Sequence, residues 1–226
     1  MRKLKRFLLV LLLCIAAFAV YVEIVNRNSR NMTYRQKVLK AVYPALMWLT
    51  KITGKKTKQL THEKVIPPVS FYQLSAQANN GDSISFEKFR GKKVLLVNTA
   101  SNCGYTNQYA DLQQLSEAFP EKLLVIGFPA NDFKEQEKGT DEEIASFCKV
   151  NFGVQFPIMK KSIVVPKSGQ HPVYQWLTDS AKNGWNSKSP SWNFSKYLVN
   201  EEGILTHYFD PSVSPMSSTV TDAIKQ

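Results

Sequence analysis

Val94-Leu95-Leu96-Val97-Asn98-Thr99-Ala100-Ser101-Asn102-Cys103-Gly104-Tyr105-Thr106 decides how this chain is read. Val94 to Val97 is a continuous β-prone apolar run, the pattern of a strand covered on both faces. Gly104 and Thr106 then supply a turn and a helix N-cap, which predicts that Cys103 faces the first turn of a helix. Unpaired N–H groups and the positive end of the macrodipole at such a place favour thiolate over thiol. A free cysteine is otherwise most often a small buried hydrophobe, but Asn98, Thr99, Ser101 and Asn102 make a polar setting that argues for reactivity.

Working outward, Ser70–Leu74 and Ser83–Phe86 alternate like a hairpin turned at Asn80-Gly81-Asp82. After Cys103 a helix is expected from about Asn107 to Phe119, with Tyr109, Leu112, Leu115 and Phe119 on one face. Leu123–Phe128 is a second buried strand. Thr140-Asp141-Glu142-Glu143 opens a helix with a capping box, and this helix carries Cys148. Further expectations are a helix at Pro172–Leu177, a hairpin of Lys196–Asn200 with Ile204–Phe209 about Glu201-Glu202-Gly203, and a closing helix from about Ser217. Strands alternating with helices and ending in a hairpin describe an α/β class with a central mixed sheet flanked by helices.

The formal charge of +11 is unevenly placed: residues 1–64 carry +12 and residues 65–226 carry −1. A near-neutral domain argues against nucleic acid as a partner, and the basic extension faces anionic lipid more naturally. Arg2, Lys3, Lys5 and Arg6 precede an apolar run from Phe7 to Val22, which sets residues 1–25 as an N-terminal apolar helix. The expectation is a membrane anchor, with the domain on the extracytoplasmic or periplasmic side; the alternative is a signal peptide cut after Ala17-Phe18-Ala19 and a secreted domain. Residues 26–64 form a basic linker whose Tyr43, Met47, Trp48, Leu49 and Ile52 suit either a membrane-surface helix or an amphipathic helix packed on the domain, which spans 65–226. His62, His171 and His207 lack ligand spacing, so no metal is expected.

Ala100–Thr106, Phe128-Pro129-Ala130-Asn131-Asp132-Phe133-Lys134-Glu135-Gln136-Glu137, Phe147-Cys148 and Ser191-Trp192-Asn193-Phe194-Ser195-Lys196-Tyr197 together resemble the glutathione peroxidase family, in order, from about Val69 to the C-terminus. The resemblance implies a thioredoxin-like fold and a peroxidase that reduces hydrogen peroxide or organic and lipid hydroperoxides under oxidative stress. It places Cys103 at the peroxidatic position, with Gln136, Trp192 and Asn193 as its catalytic partners. Amide and indole N–H donors are suited to a sulfur anion and to charge developing on a leaving oxygen. Cys148 stands where thioredoxin-dependent members carry the resolving cysteine. The implied co-substrate is therefore a thiol reductant, thioredoxin or glutathione, and no cofactor is called for.

A disulfide needs Cα atoms within about 7 Å, so the helix carrying Cys148 is expected to unwind locally during turnover. Four residues depart from the family pattern: Ala130 replaces a frequent cysteine, and Asp132, Lys134 and Lys138 replace the more usual Gln, Gly and Pro around Gln136. A disulfide reductase of thioredoxin type would need Cys-x-x-Cys, and Thr106 holds the second cysteine's place. A membrane-tethered peroxide sensor or thiol-disulfide relay using the same Cys103 is the alternative reading.

Overall fold

The N-terminal 52 residues fold back on themselves. In the computed structural model, which describes residues 2–52, 59–62 and 65–226, helix α1 (Arg2–Val25) and helix α2 (Tyr34–Ile52) form an antiparallel pair. At 1.5 Å per residue α1 is about 36 Å long, and its length and hydropathy are enough to cross a membrane, a test that a signal sequence also passes. Asn26 joins the two helices: its Nδ2 donates to Val22 O at 2.8 Å and to Lys37 O at 3.0 Å. Lys37 also pairs with Glu23 at 2.9 Å, and Asn31, at φ +57°, turns the chain between the helices.

Helix α2 lies against both α1 and the domain. Ala41 and Tyr43 are buried, Ala41 O accepts from the Tyr21 hydroxyl of α1 at 3.4 Å and the Tyr43 hydroxyl donates to Asp111 of the domain at 2.8 Å, whereas Trp48 is exposed. The rest of the linker, residues 53–58 and 63–64, lies outside the described residues. Gln59–Thr61 (β1), also within the segment read as linker, adds an edge strand to the main sheet.

The predicted first hairpin is displaced. Phe71–Gln73 is a single 3₁₀ turn capped by Ser70, so Ser70–Leu74 is not a strand; the pairing falls to β2 (Ser75–Gln77) and β3 (Ser83–Ser85). Phe71 and Tyr72 explain the change, because both are buried, and adjacent side chains share a face in a turn but point apart in a strand. Next come β4 (Lys93–Thr99), α3 (Gln108–Ala118), β5 (Leu123–Pro129), α4 (Asp141–Phe152), α5 (Pro172–Leu177), the short α6 (Ser180–Asn183), β6 (Lys196–Val199), β7 (Leu205–Phe209) and α7 (Ser218–Lys225).

The main sheet runs β1-β7-β6-β4-β5, with β4 parallel to β5 and antiparallel to β6. It is the mixed sheet expected from the sequence, with β4 lying between β6 and the edge strand β5. Alternate residues of β4 enter two cores. Leu95 and Val97 pack with Leu112, Ile144 and Ile224 of α3, α4 and α7; Val94 and Leu96 pack with Trp176 and Leu177 of α5. Burial on both faces accounts for the unbroken apolar run that opened the sequence reading. It also makes β4 rigid up to Thr99, where the loop bearing Cys103 begins.

Candidate active site

Cys103 lies five residues before α3 rather than at its first turn. The helix begins at Gln108 after Asn107, which makes no side-chain cap, so the expected N-cap at Thr106 is not formed. Thr106 ties the loop instead: its hydroxyl accepts from Cys103 N at 2.9 Å and donates to Ala100 O at 2.8 Å. The sulfur accepts from Tyr105 N at 3.4 Å. Cys103 is only 1% exposed, and burial pushes its thiol above the ordinary value; Tyr105 N–H, the donors of Trp192 and Asn193, and the Arg35 charge act in the opposite direction. The expectation that position alone favours thiolate therefore does not hold for this closed arrangement, because desolvation outweighs the donors.

The Gln136 loop is stitched to the Cys103 loop through backbone and carboxylate. Asn102 N donates to Gln136 O at 3.1 Å, while Glu137 Oε2 accepts from Ser101 N at 2.9 Å and from Ser101 Oγ at 3.0 Å. Glu137 N in turn donates to Asn131 Oδ1 at 2.8 Å. The departures from the family pattern acquire contacts of their own here. Lys134, where Gly is usual, still takes the left-handed conformation at φ +51°, as does Glu135 at φ +51°, at a strain of about 1–2 kcal/mol per residue. Lys134 Nζ sits 5.7 Å from the Trp192 ring, and Asp132 accepts from Val164 N at 2.8 Å and pairs with Lys167 at 2.6 Å. Lys138 pairs with Glu135 at 2.9 Å. In this loop the Gln136 side chain meets Asn193, whose Nδ2 donates to Gln136 Oε1 at 3.0 Å.

Trp192 and Asn193 are held from the end of β4. Asn98 Nδ2 donates to Trp192 O at 3.1 Å and Phe194 N donates to Asn98 O at 2.6 Å, with Phe194 at φ +69°. The structure thus brings Cys103, Gln136, Trp192 and Asn193 to one locus. Asn193 Oδ1 is buried there and accepts no hydrogen bond among the described residues.

Cys148 stands apart from this cluster, within an intact helix. The capping box of α4 forms as read from the sequence, with Thr140 Oγ1 accepting from Glu143 N and Glu143 Oε2 accepting from Thr140 N at 2.9 Å. Cys148 is buried and unpaired to any cysteine, beside Tyr109, and burial pushes its thiol up to about 12. The buried Glu137 carboxylate acts on Cys148 through its charge and is itself held by Ser101, two residues before Cys103.

The sequence reading gave Glu137 no role, took Ser101 only as part of a polar setting and took Thr106 for a helix cap. Polar residues flanking a motif read as solvated until their burial is known, and nothing in the spacing of Ser101 and Glu137 announces their pairing. Burial raises the Glu137 carboxyl from 4.5 to about 7 despite the Ser101 donors. The unfolded chain ionises first as pH rises, so the group lowers stability progressively between those two values, by about 3 kcal/mol in all. Urea denaturation of Glu137→Gln is expected to show a flatter stability profile between about pH 5 and about pH 7. An unchanged slope would place Glu137's carboxyl in water.

The family model for glutathione peroxidase matches residues 71–178. A glutathione peroxidase homolog, BsaA, of Staphylococcus epidermidis is 42% identical over 147 residues, covering 65% of this chain and 92% of the relative. The glutathione peroxidase-like peroxiredoxin 2 of Saccharomyces cerevisiae is 42% identical over 149 residues, covering 66% and 91%. Among solved structures, the apo form of Trgpx superposes with a TM-score of 0.54 at 30% identity, over 70% of this chain and 97% of that one. A DsbF homologue from Corynebacterium diphtheriae, at 20% identity and a TM-score of 0.52, covers 76% of this chain and 92% of its own and shares the thioredoxin-like fold. The domain that follows the N-terminal helices, with its thioredoxin-like sheet and its Cys103 cluster, belongs to the glutathione peroxidase family.

Proposed function

We propose that this peroxidase reduces hydroperoxides through Cys103, with Cys148 as the resolving thiol and a dithiol protein of thioredoxin type as reductant. The observation that carries the reading is a single buried thiol with the donors of Trp192 and Asn193 on it and Gln136 bonded to Asn193. The Cys103 thiolate attacks one peroxide oxygen, the O–O bond breaks, and the second oxygen leaves with a proton as water or an alcohol. The sulfur is now a sulfenic acid, two electrons oxidised. Attack by Cys148 expels that hydroxyl as water and forms a disulfide, and a dithiol reductant restores both thiols while becoming a disulfide itself. Neutral donors on Trp192 and Asn193 favour the anionic sulfur, and the free Asn193 Oδ1 can take the hydroperoxide O–H.

Glutathione is the other candidate reductant. A second cysteine in the same fold favours the dithiol donor, because an intramolecular disulfide is the natural substrate of another dithiol. Peroxide consumption is therefore expected to run to completion with thioredoxin and its reductase and to be at least about tenfold slower with glutathione at equal thiol concentration. Equal rates would remove the argument for the dithiol donor. A stoichiometric reaction that never recycles with either donor would favour the peroxide-sensor reading.

We further read α1 as a membrane anchor. Its apolar side chains are exposed along nearly the whole helix, including Leu8, Leu9, Leu12 and Ile15, and Arg2, Lys3, Lys5 and Arg6 flank its start. Retention of the full-length chain in the membrane fraction after a carbonate wash supports this; release of a shortened chain would favour the signal peptide.

A further inference from the structure

Helix α2 belongs to the extension, yet it closes the surface directly over the Cys103 loop. Arg35 Nη1 donates to Asn102 Oδ1 at 2.6 Å and to Asn102 O at 3.3 Å, and Gln36 Nε2 donates to Ser101 O at 2.9 Å. Both partners are the residues immediately before Cys103. Further along, Leu46 lies 3.9 Å from where a Cβ on Gly104 would stand, and Tyr43 is bonded to Asp111 of α3. The other side of the seat is α4: Arg30 N donates to Asn151 Oδ1 at 2.9 Å, and Lys40 Nζ stands 5.2 Å from the Phe152 ring.

Between helix and thiol there remains a void of about 10 Å³, bounded on the helix side by Met32, Gln36, Leu39 and Lys40 and on the domain side by Cys103 and Phe147. A space near 10–15 Å³ is about what one water needs. An alkyl or aryl substituent on a peroxide oxygen has no room there. A larger groove of about 650 Å³, reaching Ser101, Asn102 and Gln136, opens beside the void and leads toward the same loop from the α4 side.

We propose that α2 is a wall of the peroxide site that sorts hydroperoxides by size, with Leu39 and Lys40 as specificity-determining residues and Arg35 and Gln36 as the pins that hold the wall. While α2 is seated, hydrogen peroxide has little to displace in reaching Cys103, and hydroperoxides with bulky substituents have far more. Lifting α2 admits the bulky ones. The Arg35 bonds are exposed and the Gln36 bond is half-buried; such hydrogen bonds contribute little net free energy each, so the wall is one that can lift. The inference rests on Cys103 being the peroxide-reactive group.

The test uses the full-length chain in detergent micelles and follows oxidation of Cys103 in a single turnover by hydrogen peroxide and by cumene hydroperoxide. Wild type is expected to favour hydrogen peroxide, and Leu39→Ala and the double variant Arg35→Ala/Gln36→Ala to move the ratio of the two rate constants toward cumene hydroperoxide by about tenfold or more. A ratio within about twofold of wild type in both variants overturns the proposal. A second readout needs no peroxide: the adduct at Cys103 is measured by mass spectrometry after treatment with iodoacetamide or with a dye-sized maleimide. Wild type is expected to take the small reagent and resist the large one, and the variants to take both; equal large-reagent labelling in wild type and variants also overturns it. If wild type reacts with neither peroxide, the peroxidase reading fails, and the alkylation pair still decides the wall.

Discussion

Cys103→Ser is expected to abolish peroxide consumption, with a loss of at least about a thousandfold, while leaving the fold in place. The size of the loss follows from the chemistry: a hydroxyl at this position has no accessible anion near neutral pH and cannot be carried through a sulfenic state, so the covalent route disappears rather than slows. The fold survives because the change removes little volume, and the position keeps a partner in Tyr105 N–H, while Thr106 still binds the backbone N–H of residue 103. Peroxide consumption with thioredoxin and its reductase, alongside a thermal melt, checks both halves. Activity within about tenfold of wild type would remove Cys103 from the centre of the mechanism.

Cys148→Ser is expected to separate the two halves of the cycle. The first oxidation proceeds, consuming about one peroxide per chain, and steady turnover with thioredoxin then falls by about a hundredfold or more. In the proposed cycle the resolving step calls for motion, because Cys148 is buried in the formed helix α4 and burial pushes its thiol up, against ionisation. Unwinding α4 would bring the sulfur out of the core and remove the desolvation that raises it. Such local opening belongs to the low-energy fluctuations that helices with a single buried stripe undergo. Hydrogen exchange over Glu143 to Val150 is accordingly expected to be faster in the oxidised protein; equal protection in both states, or full thioredoxin-coupled turnover by Cys148→Ser, counts against the role.

Much of this was legible in the chain. The run Val94–Val97 announced a doubly covered strand, Thr140 and Glu143 announced the start of α4, and Glu201-Glu202-Gly203 announced the last hairpin, because each of those signals is local. The Cys103 cluster was legible only through its resemblance to a family, since Gln136 and Asn193 are brought together by loops far apart in sequence. What failed did so where a tertiary demand overrode a local one. Thr106 looked like a helix cap, but the loop needed an acceptor for Cys103 N–H and a donor for Ala100 O more than the helix needed a cap. Ser70–Leu74 looked like a strand until Phe71 and Tyr72 both had to enter the core. Lys134 shows the converse: the chain lost the glycine suited to a left-handed turn and kept the turn, with Trp192 and the Asp132 contacts compensating nearby.

Helix α2 also bears on how this protein is handled at the bench. Trimming an apolar leader and a basic linker to obtain a soluble domain is ordinary practice, and a cut just ahead of Gln59 would look harmless by sequence. It would strip Ala41 and Tyr43 out of the packed interior and uncover the mouth above Cys103. Kinetics measured on the trimmed domain would describe an enzyme with one side of its site missing, and substrate preferences assigned from it would belong to the truncation rather than to the native chain.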